Sequence, residues 1–138
     1  MLGSYETALE PAELLSAVLV PPPPPNMRTN YLKFTTRSSE DRPCAGITAM
    51  VRLRDGICEE ARLVVGAVSP TPVRVRKAEA MALGQRLTPA VIQAMADAAA
   101  DSIDPIEDLR GPADYKRHVV RVLSRRALAG CVSEGAVS

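Results

Sequence analysis

The sequence predicts an α+β domain, a small antiparallel β-sheet built on a central hairpin at about 45–68 and packed against a C-terminal three-helix bundle. Three observations predict it. Residues 45–53 and 57–65 both alternate apolar and polar side chains with period two, and Arg54-Asp55-Gly56 lies between them. Thr71-Pro72 and Thr88-Pro89 each read as a helix cap followed by a first helical residue. Strand signals come first and helix signals follow, so the sheet has one core face that the helices must cover.

In chain order, residues 1–26 read as a leader. Glu10-Pro11-Ala12-Glu13 is a turn or a single helical turn, and residues 14–20 are an apolar run that could be strand or helix. Residues 21–25 are five prolines, a polyproline II spacer that cannot donate ladder hydrogen bonds. The domain proper is expected over 27–130. Residues 30–37 hold Tyr31 and Phe34 and read as strand or short helix, and 38–43 form a polar, proline-closed loop.

The apolar pattern selects a hairpin register. A three-residue loop, Arg54 to Gly56, sets Leu53 opposite Ile57, Ala49 opposite Ala61 and Ile47 opposite Leu63. Gly56 then takes the left-handed position beside a bulge, which glycine adopts cheaply. A first helix is expected over 73–83, stopped at Gly84, and a second over about 89–100 with Val91, Ile92, Met95, Ala96 and Ala99 on one face. Residues 103–111 form a carboxylate-rich loop. Gly111-Pro112 opens a last helix whose apolar face carries Tyr115, Val119, Val122, Leu123 and Ala127. Gly130 reads as its stop and 131–138 as a frayed tail.

Composition excludes several classes. A net charge of +1 gives no electrostatic case for nucleic acid or an anionic membrane. No apolar run reaches the ~18 residues of a membrane helix, and no secretory signal is visible, so a cytoplasmic location is expected. Cys44, Cys58 and Cys131 are far apart and His118 is the lone histidine, so metal ligands are expected to be none and the thiols structural. His118 lies among Lys116, Arg117 and Arg121, the pattern of a solvated helix face. There is no glycine-rich phosphate loop and no nucleophile elbow. Catalytic residues are expected to be none.

One ordered series of residues carries a resemblance. It runs Tyr31-Leu32-Lys33-Phe34, Arg37, the 46–54 strand, Ala61-Arg62-Leu63, and Gly66-Ala67-Val68-Ser69-Pro70-Thr71-Pro72-Val73-Arg74. It continues through Ala78-Glu79, Asp104-Pro105, Asp108-Leu109-Arg110-Gly111-Pro112-Ala113-Asp114-Tyr115 and Val122-Leu123-Ser124-Arg125-Arg126-Ala127-Leu128. The series resembles the C-terminal domain of the medium, FAD-binding subunit of molybdenum hydroxylases, which include carbon monoxide dehydrogenase and bacterial xanthine dehydrogenase relatives. The leader, from Tyr5-Glu6-Thr7-Ala8-Leu9-Glu10-Pro11 to Val18-Leu19-Val20-Pro21, resembles the end of the preceding FAD domain. Tyr115 is followed by Lys116, where the family usually has arginine.

The resemblance implies the same sheet-and-bundle fold and a role beside FAD. Tyr31 and Lys33 are the candidate cofactor-binding residues; Asp108 and Arg110 are expected to fix their loop. The implied partners are an FAD-binding N-terminal domain, an iron–sulfur small subunit and a molybdopterin large subunit. Electrons would pass from iron–sulfur clusters through FAD to an acceptor. Without the glycine-rich loops of the N-terminal domain, the isolated chain is expected to bind FAD weakly or not at all, and to be inactive alone. The alternative is a stand-alone interaction domain without flavin, a homodimer for example.

Overall fold

A computed structural model describes residues 2–3, 6–37 and 42–133. Four strands form one antiparallel meander: β1 (Met27–Phe34), β2 (Ala45–Arg54), β3 (Ile57–Gly66) and β4 (Val73–Arg74), adjacent in chain order. Three helices follow: α1 (Arg76–Ala82), α2 (Pro89–Asp101) and α3 (Ala113–Ser133). α3 packs on β2 and β1, α1 packs on β3, and α2 packs on both of these helices. The expected α+β architecture is therefore present. Ile47, Ala49, Val51, Ala61, Leu63 and Val65 are buried on the helix-facing side of the sheet, with Met95, Val120, Ala127 and Leu128 closing the core from above.

The hairpin loop is shorter than expected. Asp55 and Gly56 alone form it, with φ of 51° and 78°, the pair of positive values that a two-residue loop of primed type requires. Arg54 therefore pairs with Ile57 and Leu53 with Cys58. A bulge at Glu59 then shifts the ladder, and beyond it Val51 pairs with Ala61, Ala49 with Leu63 and Ile47 with Val65. The extra residue sits in the strand rather than in the loop. It restores the parity that keeps apolar side chains together, so Ile47 and Leu63 share a face but are not opposed.

Four further expectations are corrected. The Thr71-Pro72 signal does not start a helix: Val73 and Arg74 pair with Val65 and Val64 as β4, and α1 begins at Arg76 without a side-chain cap. Tertiary pairing overrides the local cap signal. Gly84, with φ of 72°, still ends α1. Residues 14–20 are neither strand nor helix but irregular and exposed. α3 runs past Gly130 to Ser133, and Cys131 is buried rather than frayed. Gly130 is a contact point, since a Cβ there would run into the Asn30 side-chain nitrogen on β1. The buried stripe of α3 also differs, because it takes in Lys116, Val120 and Ser124 while Tyr115 is exposed.

α2 is as expected. The Thr88 hydroxyl accepts from the Val91 amide at 3.4 Å, Pro89 is its first residue, and Ile92, Met95, Ala96 and Ala99 are buried. Residues 30–34 lie within β1, which settles the strand-or-helix choice. The polar loop 38–43 and the tail beyond 133 fall largely outside the described residues. Among the described residues no helix is long and apolar enough to cross a membrane.

Candidate functional site

The sheet face opposite the helices has two halves. Near the hairpin tip it is a charge ladder: Arg54 and Arg52 pair with Glu59 at 2.9 and 3.4 Å, and Arg62 pairs with Glu60 at 2.7 Å. At the other end the ladder gives way to small and apolar residues. Gly46 pairs with Gly66 across β2 and β3, so neither strand puts a side chain there. Tyr31 pairs with Thr48 and Lys33 with Gly46, and the strand alternation places both candidates on this open face.

The Tyr31 side chain lies over Gly46. A Cβ at Gly46 would meet the Tyr31 hydroxyl at 3.2 Å, whereas at Gly66 it would meet nothing nearer than a backbone oxygen at 3.9 Å. The result is a shallow cavity of about 240 Å³, lined by Tyr31, Thr48 and Val64, floored by the two glycines, and walled by Pro43, Ala67 and Pro72. Tyr31 is 58% exposed, too open for a core anchor. The rim is held from below. Ala67 takes a left-handed φ of 71°, which an alanine adopts at a cost of ~1–2 kcal/mol. The next residue, Val68, is fully buried and its carbonyl accepts from the Ile106 amide at 2.9 Å.

The face thus combines a glycine floor with an aromatic wall, and Lys33 lies on the same side of the sheet. No glycine-rich phosphate loop opens a helix in this sequence. Among the described residues no cluster of His, Cys, Asp and Glu could hold a metal ion. The three thiols are buried and are not joined to one another in a disulfide, and burial pushes those of Cys44 and Cys58 up. His118 is exposed on α3.

Asp108 and Arg110 do not line this cavity; they sit in the 103–111 loop, where the Arg110 carbonyl accepts from the Cys44 thiol. Asp108 accepts from the Arg110 backbone amide at 2.8 Å and from its guanidinium at 3.1 Å. Lys116 reaches the same carboxylate at 2.8 Å and donates to the Ile106 carbonyl, although its own side chain is only 1% exposed. The Lys116 hydrogen bond, chiefly, holds the Asp108 carboxyl below its usual range. These residues brace the loop that in turn holds Val68. Gly46 and Gly66 stand inside alternating strands, the sequence signal that marks a close approach, yet no site role was read from them.

Fold and face together define a domain that offers one open, glycine-floored sheet surface and covers the other with helices. Residues 30–130 match the family described as the CO dehydrogenase flavoprotein C-terminal domain. The chain belongs to that family. It is 34% identical over 127 residues to the carbon monoxide dehydrogenase medium chain of Hydrogenophaga pseudoflava, covering 92% of this chain and 44% of that one. The medium chain from Afipia carboxidovorans is 35% identical over 127 residues, 91% of this chain and 43% of that one. Carbon monoxide dehydrogenase from Hydrogenophaga pseudoflava lacking the Mo-pyranopterin moiety superposes with a TM-score of 0.88 at 36% identity, over 94% of this chain and 45% of that one. Quinoline 2-oxidoreductase from Pseudomonas putida 86, at 22% identity and a TM-score of 0.90 over 97% of this chain and 46% of that one, shares the fold. The chain thus spans less than half the length of the relatives it matches.

Proposed function

We propose that this chain is the flavin-flanking C-terminal half of an FAD-binding medium subunit in a molybdenum-containing hydroxylase or dehydrogenase. Its partners would be an FAD-binding N-terminal domain, an iron–sulfur small subunit and a molybdopterin large subunit. Bound FAD would link iron–sulfur carriers to the final acceptor. In this reading the chain's residues shape and screen the ring's surroundings. Tyr31 would present its aromatic edge and hydroxyl to the ring, and Lys33 would place positive charge near a ring carbonyl. Gly46 and Gly66 keep the backbone bare where a planar group would approach.

The observation that carries this is the Tyr31 side chain lying over Gly46 on an open sheet face, in a chain that belongs to a flavoprotein family. Affinity purification of the tagged chain tests it. The expected result is recovery of an FAD-binding half and an iron–sulfur subunit with a yellow flavin spectrum. A colourless homodimer with no such partner would refute the assignment. The chain alone is expected to bind FAD weakly or not at all, and submicromolar binding would overturn that division of labour.

A further inference from the structure

The 103–111 loop is tied to both walls of the Tyr31 cavity. Behind the Ala67 wall, the Ile106 amide donates to the Val68 carbonyl at 2.9 Å and the Ser69 hydroxyl donates to the Asp104 carbonyl at 3.3 Å. Behind the Pro43 wall, the Cys44 thiol donates to the Arg110 carbonyl at 3.7 Å. Cys44 and Val68 are fully buried, so each wall residue is the chain neighbour of an anchored one. The two ties are two residues to either side of Asp108. A tight turn holds the second of them in place, because the Gly111 amide donates to the Asp108 carbonyl at 3.0 Å and the Arg110 amide to the Asp108 carboxylate at 2.8 Å.

Lys116 grips the loop between those ties. Its ammonium donates to the Ile106 carbonyl and pairs with the Asp108 carboxylate at 2.8 Å. Among the described residues it is the one buried cation. Burying an ammonium is unfavourable unless its charge and donors are matched, and a methionine would fill much the same space without that cost. Packing alone therefore does not account for a lysine here. What the ammonium adds is direction, since a satisfied buried polar network holds its members in one arrangement. It fixes the middle of the loop to α3, which packs on β1 and β2, the strands that carry Tyr31 and Gly46.

We propose that Lys116 is a positioning residue for the Tyr31 cavity: by clamping the middle of 103–111 it sets the separation of the Pro43 and Ala67 walls, and with it how closely a planar group lies against Tyr31 and Gly46. This rests on the flavin role proposed above. Lys116 does not line the cavity and acts through Ile106, Asp108 and the two walls.

The test uses the subunit assembled from this chain and its FAD-binding half, and reads the FAD dissociation constant and the flavin absorption spectrum, with urea unfolding of each free chain alongside. Lys116→Met is expected to weaken FAD binding by about tenfold and to shift the flavin absorption maxima. Lys116→Arg, whose guanidinium can still donate to both acceptors, is expected to stay within about twofold of wild type. Gly56→Ala, at the hairpin tip and the far end of the sheet, is expected to lose stability and leave the flavin unchanged. Equal flavin effects in Lys116→Met and Gly56→Ala would mean general loosening and overturn the proposal. So would a normal flavin in Lys116→Met while Tyr31→Ala perturbs it, an outcome that leaves the flavin role standing. A flavin indifferent to Tyr31→Ala as well removes both. Where Lys116→Met does not fold, Ser69→Ala takes its place, since it releases the Ala67 side without touching the core. It is expected to weaken FAD binding by about threefold, and an unchanged constant overturns the clamp.

Discussion

Glu79 does the work of a missing strand. β4 is two residues long, so the outer edge of β3 is covered in pieces: Arg74 and Val73 pair with Val64 and Val65, and the Val75 amide donates to the Leu63 carbonyl at 2.8 Å. The Leu63 amide donates to the Glu79 carboxylate at 3.0 Å, and the same carboxylate takes Nε and Nη2 of Arg74 at 2.9 Å each. Glu79 is 7% exposed and Leu63 is fully buried. Glu79→Ala strands the Leu63 amide, and a buried unsatisfied donor costs about 1–3 kcal/mol, with hydrogen bonds to a charged acceptor at the upper end. Half-exposed Arg74 regains water and adds little. The expected loss is therefore about 2–3 kcal/mol, read from urea unfolding at pH 7. Glu79→Gln keeps an acceptor for Leu63 and should lose less. The pH dependence follows from the carboxyl. Burial raises it, but the Arg74 hydrogen bonds, the Leu63 amide and the charges of Arg74 and Arg76 outweigh burial and hold it below its ordinary 4.5. A carboxyl depressed on folding contributes stability that is complete above the unfolded value and is lost as pH falls through the folded one. Wild type should therefore lose this contribution below about pH 4.5, and Glu79→Gln should lack that part of the acid slope. A Glu79→Ala loss under about 0.5 kcal/mol, or equal acid slopes in wild type and Glu79→Gln, would refute the role given to this side chain.

Other outcomes follow from the same geometry. Asp108→Ala leaves the Lys116 ammonium buried without its carboxylate and should cost about 3–5 kcal/mol, whereas Lys116→Met leaves Asp108 to Arg110 and water and should cost under ~2 kcal/mol; equal losses in urea unfolding would contradict this asymmetry. Gly56→Ala forces a side chain onto a left-handed residue against Arg86 and should cost about 1–2 kcal/mol in thermal or urea unfolding. Ala67→Gly relieves a left-handed alanine and should be neutral or stabilising by up to about 1 kcal/mol in the same assays, the opposite of a usual alanine-to-glycine change. Tyr31→Ala should change stability by about 1 kcal/mol or less, because the side chain is largely exposed, yet should shift the flavin absorption maxima and midpoint potential of the assembled subunit; an unchanged flavin signal would remove Tyr31 from the site.

What could be read from the residues was mostly local. Thr88-Pro89 start α2 because the cap and first turn involve only neighbouring residues, and the alternating arms of the hairpin fix which side chains face the core. The register was not legible, because a bulge at Glu59 and a third loop residue satisfy the same apolar pattern. β4 was hidden behind Thr71-Pro72, a strong local helix signal that loses to pairing with Val64 and Val65. Lys116 reads as solvated by type, and only the fold brings Asp108 and the Ile106 carbonyl to it. Of the candidate site, Tyr31 and Lys33 were visible as residues two apart, which strand geometry places on one side. The glycine pair beneath them needed the β2–β3 register, which depends on that bulge.

The Arg28 guanidinium on β1 donates to the carbonyls of Cys131 and Val132 at 3.3 Å each, tying the beginning of the sheet to the last turn of the final helix. The polypeptide thus enters and leaves the folded unit at one corner. A unit built that way can be strung after other segments, or spliced between them, as a self-closing cassette whose neighbours need only reach a single point on its surface.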